Sequence, residues 1–113
     1  MTAQGHPRSI VKRAIENGNL VVAEMTAREL GRLTLDESLA LTGLVVQKDP
    51  GRRSGYTLRW LLRLLEEDEN LTIEEAVLVA SALAALGGRG HEETFSTLSA
   101  WPNVRLGRGS VGG

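Results

Sequence analysis

Leu33-Thr34-Leu35-Asp36-Glu37-Ser38-Leu39-Ala40-Leu41 recurs as Leu71-Thr72-Ile73-Glu74-Glu75-Ala76-Val77-Leu78, 38 residues downstream. Each copy has threonine in second place, with glutamate three positions later. In such a capping box the hydroxyl accepts from an orphan N–H of the first turn and the carboxylate reaches back. The register extends inward, where Gly43, Leu44, Val45 and Val46 fall on Ser81, Ala82, Leu83 and Ala84. It extends upstream too, where Leu20, Ala23 and Ala27 fall on Leu58, Leu61 and Leu65. A period in the range of about 30–50 residues marks helix pairs that stack because one pair cannot bury its own apolar face. The repeat predicts that Leu39 and its equivalent Val77 are both buried between helices.

Outward from these copies the chain reads as five helices, with a sixth segment less marked. A first helix is expected over about Ser9 to Asn17, with residues 1–8 polar and frayed ahead of it. Asn17-Gly18 supplies a left-handed stop. Asn19 caps the second helix, whose Leu20, Ala23, Ala27 and Leu30 form one apolar stripe. Glu24, Arg28 and Arg32 line the opposite side. The third helix, about 35–48, is apolar almost all round, the pattern of a helix buried on several sides. Gly43 in its middle costs about 1 kcal/mol against alanine, which points to close approach of a neighbouring helix. Gln47 to Gly55 is the one long turn-rich connection. The fourth helix runs to about Glu69, with Leu58, Leu61, Leu62 and Leu65 inward. The fifth, rich in alanine, runs to Leu86, and Gly87-Gly88 ends it. Residues 91–101 carry a weaker helical pattern around Phe95, Leu98 and Trp101. Residues 1–101 then form one helical-repeat domain and 102–113 a flexible Gly/Arg tail.

Gly18-Asn19-Leu20-Val21-Val22-Ala23, followed by Ala27 and Leu30, resembles the turn and second helix of a tetratricopeptide repeat. The likeness covers about 15 residues. The 38-residue period is longer than the 34 of that family, and most large residues of its first helix are missing. The chain as a whole is similar to small helical proteins of actinobacteria. Both resemblances imply the helix-hairpin fold and assign no site residue.

Composition excludes several classes. The 113 residues contain no cysteine, so there is no disulfide, zinc knuckle or thiol nucleophile. That suits a reducing compartment, and the cytoplasm is the expected location. The net charge of −1 argues against broad electrostatic attraction to nucleic acid or an anionic membrane. No apolar run approaches the roughly 20 residues that span a bilayer. Aromatics are only 4%, so Leu, Val and Ala must fill the core.

Candidate chemistry is sparse. His6 and His91 lie in separate polar segments, and His91-Glu92-Glu93 lacks the second histidine of zinc-hydrolase spacing. Glu66-Glu67-Asp68-Glu69 closes the fourth helix against its dipole. Arg63 can compensate Glu67 at i+4, or the run can dock a basic partner. There is no nucleophile elbow, and Leu106-Gly107-Arg108-Gly109 lacks the strand and helix of a phosphate loop. The densest cluster is Arg52, Arg53, Tyr56, Arg59, Trp60 and Arg63. It reads as a partner-binding surface for an acidic peptide or phosphates, or as a solvated arginine face whose stems cover apolar surface. Trp60 stands one step off the leucine stripe, either packed between layers or exposed as an interaction hot spot.

These observations predict an all-α domain of stacked antiparallel helix hairpins, without catalytic residues, cofactor or metal. The expected function is a non-enzymatic protein–protein interaction module. The alternative is a small DNA-associated regulator using the arginine-rich face. The short first helix and thin C-terminal cover leave apolar surface expected near Val79, Leu83 and Leu86. A homodimer or a permanent heterocomplex would close it.

Overall fold

The computed structural model describes residues 6–86 and 93–100. They form an all-α bundle, with no strand among the described residues: α1 (Pro7–Glu16), α2 (Leu20–Leu30), α3 (Leu35–Lys48), α4 (Arg53–Glu67), α5 (Ile73–Ala85) and α6 (93–100). A 3-10 turn, Pro50–Arg52, joins α3 to α4. His91, Trp101, the Gly87-Gly88 stop and the tail 102–113 lie outside the described residues.

Local chemistry sets the helix ends. α1 starts at Pro7, two residues before the expected Ser9. Proline fits a first helical position because its missing N–H would have no intrahelical partner there. Gly18 has φ +72°, the left-handed stop expected from Asn17-Gly18. Asn19 then caps α2, its Oδ1 accepting from the Val22 N–H at 3.2 Å. Both capping boxes are complete. Thr34 Oγ1 accepts from the Glu37 N–H at 3.1 Å, and Glu37 Oε1 accepts from the Thr34 N–H at 2.8 Å. The matching distances at Thr72 and Glu75 are 3.1 and 2.9 Å.

α3 is the central helix. It gives Leu39 and Val46 to a core shared with Trp60, Leu64, Val79, Leu83, Leu86 and Leu98. From its other side it gives Leu41, Leu44 and Val45 to a second cluster with Ala14 and Ala23. Service to two clusters explains why it is apolar almost all round. Gly43 marks a close approach, as its position in α3 predicts, and the neighbour is α6. A Cβ on Gly43 would lie 2.7 Å from Cε2 of Phe95.

The second hairpin departs from the repeat in three ways. Leu39 is 1% exposed, whereas Val77, its equivalent, is 58% exposed. Leu58, Leu62 and Leu65, expected inward, are exposed, and only Leu61 is partly covered. Val79, Leu83 and Leu86, expected at an open end, are instead buried in the main core. The first follows from α5 turning Val79 and Leu83, rather than Val77, to the core, and a rotation of α4 accounts for the second. Trp60 is 1% exposed and donates its indole N–H to the Leu35 carbonyl at 3.0 Å. With the largest aromatic buried and its one donor satisfied, the leucine stripe on the other face of α4 is turned outward. Leu64, one turn on, follows Trp60 inward. Phe95 and Leu98 of α6 pack on the core that holds Leu83 and Leu86, which accounts for the third.

Candidate functional site

The predicted cluster does not stay together. Arg52 sits at the α3–α4 turn and grips Glu24 of α2 with both terminal nitrogens, at 2.8 and 3.0 Å. Its Nε donates to Asp49 Oδ2 at 2.8 Å. Tyr56 donates its hydroxyl to the same Glu24. The Arg59 guanidinium lies 4.8 Å over the Tyr56 ring and that of Arg52 lies 5.7 Å from it. Arg63 pairs with Glu67 at 2.7 Å, the compensation expected at i+4, and Arg32 reaches the same carboxylate at 3.4 Å. Trp60 is in the core, so of its two readings the packed one holds. Arg53 stands apart on a groove between α4 and α5.

Glu24 organises this corner, and its sequence position put it on a solvent face. Its partners are 28 and 32 residues away, so no local signal could have found them. The hydrogen bonds from Arg52 outweigh burial and hold the Glu24 carboxyl below its ordinary value. Arg52 is raised by the same pair. Burial, then the bond to Glu24, raises the Tyr56 phenol. Arg52 is matched here by Glu24 and Asp49, whereas Arg59 stacks on Tyr56 and donates to the Gly55 carbonyl. The corner therefore works as a buttress that locks α2 onto the start of α4. Its central guanidinium, Arg52, is spent on carboxylates rather than left for a phosphate. Among the described residues no three His, Asp or Glu side chains converge to hold a metal ion, and no helix is long and apolar enough to cross a membrane.

The rotation of α4 creates a different surface. Ser54, Leu58, Leu61 and Leu65 recur at intervals of 4, 3 and 4 along α4. Ile73, Val77, Ala80 and Ala84 do the same along α5. Ser54, Thr57, Leu58 and Leu61 face Ala80, Leu83 and Ala84 across a groove of about 400 Å³. Leu62, next after Leu61 on α4, is 50% exposed, and Ile73 at the far end of its stripe is 80% exposed. The leucines were visible in the sequence, but as core. Their spacing of 3 and 4 is the one that apolar residues show where helices pack. No family model, curated protein or solved structure matches this chain.

Proposed function

We propose that this chain is a non-enzymatic protein–protein interaction module whose working surface is the α4–α5 face. The observation that carries this reading is the set of large apolar side chains left in water on adjacent helices, Leu58, Leu62 and Leu65 of α4 with Ile73 and Val77 of α5. Leu58, Leu62, Leu65, Ile73 and Val77 would each gain roughly 1.5–3 kcal/mol on full burial, less what they already bury. Contiguous apolar surface of this kind marks an interaction site. Two parallel ridges with a groove between them suit an amphipathic helix, read at i, i+3, i+4 and i+7. In this reading α2–α3 and α4–α5 are two helix-hairpin repeats, similar to tetratricopeptide pairs. α4–α5 is the repeat whose outer face stays open. The chain works in the cytoplasm, which suits its lack of cysteine. A nucleic-acid role finds less support, because Arg52 and Arg63 are already paired with carboxylates at 2.8 and 2.7 Å.

The test is a photo-cross-linking residue at position 62 in the native cell, with position 29 on the exposed side of α2 as control. A polypeptide adduct at 62 and none at 29 is expected. No adduct at 62, nor at 58 or 77, would remove the interaction reading.

A further inference from the structure

We infer that the occupant of the α4–α5 face is a second copy of this chain, docked about a two-fold axis beside Leu62 with the two α4 helices antiparallel. The inference rests on the reading of α4–α5 as an interaction face and names its partner. Its evidence is the placement of charge. α4 is charged against its own dipole at both ends. Arg52 and Arg53 stand at its N-terminal end, where the helix already carries positive partial charge, and Arg59 adds a third cation less than two turns on. Glu66, Glu67, Asp68 and Glu69 crowd its C-terminal end, where the partial charge is negative. Each placement is unfavourable in an isolated helix.

Only part of this charge is answered among the described residues. Arg52 has Glu24 and Asp49, and Arg63 with Arg32 answers Glu67. Among the described residues Arg53, Arg59, Glu66 and Glu69 make no ion pair. Glu74, exposed at the start of α5, adds a negative charge at the end of the face that Glu66 and Glu69 occupy. The face is therefore basic at one end and acidic at the other.

A two-fold axis across the middle exchanges the ends. An axis beside Leu62 sets Leu58 opposite Leu65 of the second copy and Arg59 opposite Glu66 of the second copy. By symmetry each pairing occurs twice, as an isologous interface requires. Each basic end then meets both an acidic cluster and the negative end of the other dipole. The exposed leucines close against each other, and Ala80 and Ala84 leave room beside them. The result is a four-helix core of two α4 and two α5 helices. A heterologous helical partner would bury the same leucines, but nothing would require its charges to run in the opposite order.

The experiment measures the mass of the full chain by light scattering after size exclusion at micromolar concentration. The expected mass is twice 12.2 kDa. Leu62→Asp, at a half-exposed site, should give the single-chain mass with an unchanged helical circular dichroism spectrum. Arg59→Glu and Glu66→Arg should each weaken self-association at least about tenfold, because each creates two like-charge contacts. Mixed together, they should regain the dimer mass as a heterodimer, since the exchanged charges then pair. A single-chain mass for the unmodified protein overturns the inference. So does a dimer that survives Leu62→Asp, or a charge-exchanged mixture that stays monomeric. A monomer whose position 62 cross-links to a different polypeptide overturns the second copy and leaves the interaction face standing. A monomer with no adduct removes both.

Discussion

Gly43 offers a test of the packing that the core depends on, because two effects of known size compete there. Alanine in place of a mid-helix glycine gains about 1 kcal/mol of helix propensity. Here the new methyl would sit 2.7 Å from Cε2 and 3.0 Å from Cδ2 of Phe95. Forcing a methyl into filled space costs about 1–3 kcal/mol. The steric cost wins, and Gly43→Ala should destabilise by about 1 kcal/mol. In a Phe95→Ala background the ring is gone and only propensity remains. The same substitution should then stabilise by about 1 kcal/mol. The coupling between the two positions is therefore about 2 kcal/mol, well above the additivity error of about 0.5 kcal/mol for independent sites. Urea unfolding followed by circular dichroism measures all four chains, with unchanged slopes required for the comparison. If Gly43→Ala stabilises equally in both backgrounds, α6 does not pack on α3 and the assignment of Phe95 and Leu98 to the core fails.

Leu39→Ala should cost roughly 2–5 kcal/mol whereas Val77→Ala, at its repeat equivalent, should stay within about 0.5 kcal/mol; equal losses in thermal melts would restore the burial symmetry that the structure lacks. Thr34→Ala and Thr72→Ala should each lose about 1 kcal/mol of stability, and a loss at only one would mean that one capping box is not formed in solution. Glu24 has a folded pKa below its ordinary 4.5, so the folded chain binds fewer protons there than the unfolded one. Its contribution is complete above that value and drains away as pH falls through the folded pKa. A plot of Tm against pH should accordingly be flatter on its acid side for Glu24→Gln. Glu37 supplies a further share of the same limb: burial raises its pKa, and the Thr34 N–H and Arg8 together bring it below its ordinary value.

The helix ends were legible because their causes are local. Asn17-Gly18, Asn19 and the two threonine–glutamate boxes each act within one turn, so residue order alone carries them. The rotation of α4 was not legible for the opposite reason. The helix has two apolar faces, Trp60 with Leu64 and Leu58 with Leu61, Leu62 and Leu65. Periodicity identifies an apolar face but not the neighbour that covers it. The choice is made by contacts far along the chain: the Trp60 N–H on the Leu35 carbonyl and the Arg52–Glu24–Tyr56 corner. The same distance hides Glu24, whose local companions Arg28 and Arg32 suggested a plain solvent face.

The repeat still bears on the open face even where it fails on burial. Leu20, Ala23 and Ala27 of α2 are the equivalents of Leu58, Leu61 and Leu65 of α4. In the first hairpin they belong to a cluster with Ala14 and Ile15, the apolar side of α1. α1 thus covers the stripe in the first copy. In the second copy the stripe is three leucines where the first has one leucine and two alanines, which raises what its burial would gain. Among the described residues, however, no helix takes the place of α1 there, since α6 packs on the opposite side, against α3 and the core. A stripe of surplus leucine with no fold role would be neutral to replacement by lysine or glutamate and would improve solubility if replaced. In the proposed reading its rhythm, its alignment with the α5 stripe and its place one period from a covered seam are jointly accounted for by a helix arriving from outside the chain. The inverted charges of α4 then select, among such helices, one that carries the same charges in reverse order.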